Sequence, residues 1–222
     1  MNTIMKKIIF FAMALFAITV VSAQSEKYLK AMQGNVSALD SIRSAQGWTE
    51  VSNNFQRIAD AEKTQWLPYY YVALSNVMAG YFQGNVNQSP NPAVTDPLAD
   101  KAEEALNKAE ALSKDNSEIF IVRKMIATLR MTADPMNRWQ TYGPQAAEAL
   151  QRAKALNPEN PRVYLLEGQD KFYTPEQFGG SKTAAKTLFE ESAKKFESFK
   201  PESAIHPQWG LSQVKYFQSQ IK

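Results

Sequence analysis

No cysteine occurs anywhere in the chain, and histidine occurs once, as His206. The first absence excludes a disulfide framework, a thiol nucleophile and a lipid-modified cysteine near the N-terminus. The second excludes a multi-histidine metal site or a proton shuttle between two histidines. No serine stands in a G-x-S-x-G turn, so that route to a nucleophile is missing as well. Charge is nearly balanced: 25 Lys and Arg face 22 Asp and Glu. Lys6 and Lys7 precede a largely apolar run, Ile8 to Val21, and Val21-Ser22-Ala23 places small residues for cleavage before Gln24. This three-part pattern predicts a signal peptide over residues 1–23, and the run is too short to span a bilayer, which needs about 20 residues. The remaining residues, 24–222, hold one net positive charge and no long basic stripe, which argues against nucleic acid. The expectation is a single domain, periplasmic or secreted, without stable membrane insertion. No enzyme activity, metal or cofactor is expected.

What is present is a repeat. Residues 102–122, AEEALNKAEALSKDNSEIFIV, align without gaps on 146–166, AAEALQRAKALNPENPRVYLL, with eight identities at an offset of 44. Like also follows like outside the alanines: Asn107 with Gln151, Lys108 with Arg152, Asp115 with Glu159. Ala and Leu at spacings of three and four give each first segment a narrow apolar helical face. Asn116 and Asn160 suit helix caps, and Pro161 suits a first turn, where no amide donor is needed. Weaker copies flank the pair at 53–82 and 183–202, with a helix predicted before them (25–44) and another after them (207–220).

From about Trp48 to Pro201 the chain resembles a tetratricopeptide-repeat (TPR) array. Ala102, Leu106 and Ala109 fit small–large–small positions, Ala155 to Asn160 fits a helix exit, and Tyr164 and Gly168 fit aromatic and glycine positions. The offset of 44 exceeds the usual repeat of about 34 residues. The resemblance implies an all-α, right-handed α-solenoid of three to four TPR-like helical hairpins with N- and C-terminal capping helices. It also implies a scaffold or binding module for a protein or peptide partner in the cell envelope. The Gly-Gly corner is similar, more distantly, to TPR proteins that accompany TRAP-type solute transporters, which implies a small-ligand accessory protein as the alternative.

The extra residues of the long repeat fall at 84–97, 132–144 and 174–182, predicted as insertions between paired helices along one rim. Their aromatic and glycine residues, Trp139, Tyr142, Tyr173, Phe178, Gly179 and Gly180, either pack over their own helices or form a binding surface. Arg123, Glu167 and Asp170, on helices expected to line the concave face, either bind a ligand or form ion pairs, with Arg123–Glu167 the natural pairing. Gly179-Gly180-Ser181-Lys182-Thr183 is not a phosphate loop: lysine stands one place too far along, Pro175 replaces the leading glycine, and nothing upstream reads as a strand. The stretch is predicted to turn a corner, with Ser181 capping the next helix.

Overall fold

A computed structural model describes residues 26–87 and 91–221; the expected signal peptide lies outside the described residues. Those residues are helical throughout, without strands. A first helix (α1, 26–38) leads through a short 3-10 turn, Leu39–Ser41, to α2 (Ala45–Ala61). Then follow α3 (Trp66–Asn87), α4 (Pro92–Leu112), α5 (Ser117–Ala133), α6 (Pro135–Leu156), α7 (Pro161–Tyr173), α8 (Lys182–Ser198) and α9 (Leu211–Gln220). No described helix is long and apolar enough to cross a membrane.

The caps are those the sequence asks for. Asn116 and Asn160 accept from the amides of Glu118 and Arg162, and Ser181 accepts from Ala184. Pro92, Pro135 and Pro161 each sit in a first turn. The most extensive packing is between neighbours in sequence: α2 with α3, α3 with α4, α5 with α6, and α7 with α8. Short connections make these antiparallel hairpins. Alanines 99, 102, 105 and 109 of α4 are buried and bring its backbone close to its neighbours.

Two of the three predicted insertions are not loops. Residues 132–144 belong mostly to α6, which opens at Asp134-Pro135 and continues through Pro144. An Asp before a first-turn Pro is a start signal, and Pro144 is exposed, where water can solvate the carbonyl it leaves unpaired. Residues 84–97 are divided between the end of α3 and the start of α4, with 88–90 outside the described residues. Only 174–182 is a connection of some length, with a 3-10 turn at Glu176–Phe178.

The two repeat copies also share an ion pair with its signs exchanged. Arg123 of α5 pairs with Glu110 of α4, and Glu167 of α7 pairs with Lys154 of α6, at equivalent positions. The expected Arg123–Glu167 pair does not form, because each residue faces the helix before its own rather than the next repeat.

The C-terminal segment does more than cover the far end. Before entering α9 it returns to α3: Tyr71 Oη donates to the Ile205 carbonyl (2.9 Å), and Trp209 Nε1 donates to Tyr70 Oη (2.9 Å). His206 lies edge-on to Trp66, with Nδ1 2.8 Å from Ser203 Oγ and Nε2 3.2 Å from Glu202. Burial, reinforced by Glu118, raises the Tyr70 phenol pKa well above its ordinary value; burial raises Tyr71 also. Both phenols therefore hold their protons in the folded state at a pH where the unfolded chain loses them. Stability from these two groups is fully present below about pH 10 and falls above it, by about 1.4 kcal/mol per pH unit for each. Buried Tyr81 and partly buried Tyr28 add to the same slope; in urea denaturation between about pH 9 and 11.5, Tyr71→Phe should reduce it by one phenol's share, about 1.4 kcal/mol per pH unit.

Candidate functional site

α6 has 22 residues and α7 has 13, a difference of roughly 13 Å in length. At the end of α7 the chain turns into α8. Gly179 has φ of 91°, and a Cβ on Gly180 would lie 1.7 Å from the Thr174 carbonyl oxygen, so only glycine fits there. The corner amides are spent internally. Phe178 and Gly180 donate to Pro175 O, Gly179 donates to Glu176 O, and Ser181 donates to Lys171 O. None of these four is left to wrap a phosphate, and the stretch turns a corner as predicted.

Around the corner large rings face solvent. Phe178 is 73% exposed and Tyr173 68%; Tyr216 of α9, which the sequence reading passed over as part of a capping helix, is 58% exposed. Tyr173 and Tyr216 both rest edge-on against Phe217, at 5.8 and 5.3 Å between ring centroids. Phe217 in turn stacks on buried Phe189 at 4.9 Å. The tyrosine rings are therefore mounted on a rigid aromatic base rather than hanging from a loose loop. In its first half, α6 exposes Met136 and Trp139 and half-buries Tyr142.

Two lysines brace the corner. Lys171 Nζ donates to Gly179 O (3.0 Å), and Lys182 Nζ donates to Phe172 O (2.9 Å) while lying over the Phe172 ring. The protein packed against one side of Tyr173, with Tyr216 adding to the effect, raises the Tyr173 phenol pKa, so it is neutral at ordinary pH. The other candidates lie apart from this ledge. Asp170 accepts from Lys124 Nζ (2.6 Å), a lysine 2% exposed, while Arg123 and Glu167 are held in the pairs already described. Among the described residues no group of three His, Cys, Asp or Glu could hold a metal ion.

The chain is similar to a solved structure, the HusA haemophore from Porphyromonas gingivalis. The two share 36% sequence identity and superpose with a TM-score of 0.77, over 88% of this chain and 92% of that one. The chain belongs to the HusA family. No protein-family model and no curated protein matches it. The likeness to HusA covers far more than one repeated hairpin, so it relates the whole helical stack.

Proposed function

We propose that this protein is an exported binding protein that takes haem on the aromatic ledge, as a relative of HusA. The carrying observation is the pair of exposed rings, Tyr173 and Tyr216, seated on Phe217, with exposed Phe178 in the Gly-Gly corner that follows Tyr173. Exposed aromatics of this size are costly in water unless something flat and apolar covers them. A porphyrin offers two such faces and carries anionic propionates, for which Lys171 and Lys182 stand at the corner. We read the hairpins as TPR-like and take the ligand to sit at the rim; the chain's own segment around Ile205 covers Tyr71 of α3.

Haem titration followed by absorbance tests this reading. Each ring contributes about 0.5–1.5 kcal/mol by stacking, so Tyr173→Ala/Phe178→Ala/Tyr216→Ala should weaken haem binding by about 100-fold. Circular dichroism should show the helices intact. A triple variant that binds haem as tightly as the wild type would remove the ledge from consideration. A parallel titration with iron-free protoporphyrin shows how much of the affinity comes from the ring alone.

A further inference from the structure

A cleft of about 680 Å³ lies away from the ledge, between α1 and the returning segment, lined by Lys30, Gln33, Gly34, Ser37 and Asp40 on one side and by Gln208 and Trp209 on the other. Lys30, Gln33, Gly34 and Ser37 follow the i, i+3, i+4, i+7 spacing, so they form one helix face directed at the cleft. Gly34 stands inside α1, where glycine weakens a helix relative to alanine. Packing does not require it: a Cβ there would meet no atom within 4 Å. The fold gives up helix stability at a position that opens onto the cleft, which is understandable if an occupant approaches the backbone closely.

The charges define that occupant. Among the described residues neither the Lys30 ammonium nor the Asp40 carboxylate has an ionic partner; Arg43 reaches only the Asp40 backbone carbonyl. Lys30 lies about 12 Å from the end of α1 and the 3-10 turn that holds Asp40 adds about 4 Å, so the two backbones are about 16 Å apart. Between them lie the amide of Gln33 and, across the cleft, that of Gln208, whose Nε2 also donates to the Ala204 carbonyl (2.9 Å). Tyr71 and Trp209 are almost fully buried and offer no open ring face, which disfavours a stacked sugar or a second porphyrin.

We propose that this cleft binds a short peptide with free termini. An extended chain of four residues spans about 13–14 Å, enough to place its ammonium at Asp40 and its carboxylate at Lys30. The glutamine amides then pair with its main chain, and Gly34 leaves room for it to lie against α1.

Tetra-alanine, titrated into the ¹⁵N-labelled protein to about 1 mM, is the probe. Saturable amide shifts confined to residues 30–40 and 204–209 are expected. N-acetylated, C-amidated tetra-alanine should bind at least tenfold more weakly, and Lys30→Glu should weaken the free peptide by a similar factor. Gly34→Ala should melt higher than the wild type, and Gly34→Leu should abolish the shifts. Haem affinity should not change in any of these variants. The proposal is overturned if tetra-alanine produces no saturable shifts at the cleft, if the capped peptide binds equally well, or if Gly34→Ala lowers the melting temperature.

Discussion

Arg162→Ala is expected to lower the unfolding free energy by about 3–5 kcal/mol, a large part of the total for a domain of this size. Arg162 is fully buried. Its Nη1 donates to Glu118 Oε1 (3.0 Å), and Nη2 donates to the Pro207 carbonyl. Asn160 Nδ2 donates to the same Glu118 oxygen (2.8 Å), while Tyr70 Oη donates to Oε2 (3.2 Å). Phe196, Phe199 and Trp209 surround the guanidinium with ring faces, the nearest centroid at 4.9 Å. One residue thus joins α5, α7, α8 and the returning segment. Alanine in its place leaves Glu118 charged, poorly solvated and without its cation, and leaves the Pro207 carbonyl without its donor. The double variant Glu118→Leu/Arg162→Met removes both charges and should recover most of the loss. Urea denaturation of the three proteins checks this; a loss below about 1 kcal/mol for Arg162→Ala would show that the network is dispensable.

That network was half legible in the sequence. The internal alignment places Glu118 opposite Arg162 at the start of the two repeat helices, one acid and one base. The expected pair, Arg123 and Glu167, lies five residues further along. Five residues rotate a helix by about 140°, which carries those side chains from the neighbouring repeat to the helix before their own. The exchange of sign between Glu110–Arg123 and Lys154–Glu167 is what a repeat leaves when a pair is kept and its members are swapped. Helices and caps were readable because they depend on local chemistry, as at Asn116, Asn160 and Ser181. The return of residues 203–209 to α3 was not, because it rests on contacts such as Tyr71 to Ile205, more than 130 residues apart in the chain. Trp139, Tyr173 and Phe178, rings singled out in the sequence, are exposed. The exposure of Tyr216 was not readable, because it depends on where α9 docks. Residues 132–144 were misread because Gly143-Pro144 resembles a loop end, whereas Asp134-Pro135 opens the helix.

Gly180→Ala is expected to weaken haem binding by at least tenfold and to lower the unfolding free energy by about 2–3 kcal/mol. The added methyl would lie 1.7 Å from the Thr174 carbonyl oxygen and 2.6 Å from its carbon. These are backbone atoms, so no side-chain rotation relieves the clash and the corner itself must open. Opening it breaks the bonds from Gly180 N to Pro175 O (3.1 Å) and from Ser181 N to Lys171 O (2.9 Å), and displaces Phe178 and both lysines. The α7–α8 interface below it, built on buried Ala185 and Phe189, is out of reach of that change, so the protein should still fold. Gly179→Ala supplies the contrast. Its φ of 91° makes alanine strained, by about 1–2 kcal/mol, yet a Cβ there meets nothing within 4 Å. Gly179→Ala should therefore lose stability while keeping most of its affinity, whereas Gly180→Ala loses both. Thermal melts and haem titrations on the two variants separate corner geometry from stability. If Gly180→Ala is destabilised but binds haem like the wild type, the ligand does not sit at this corner.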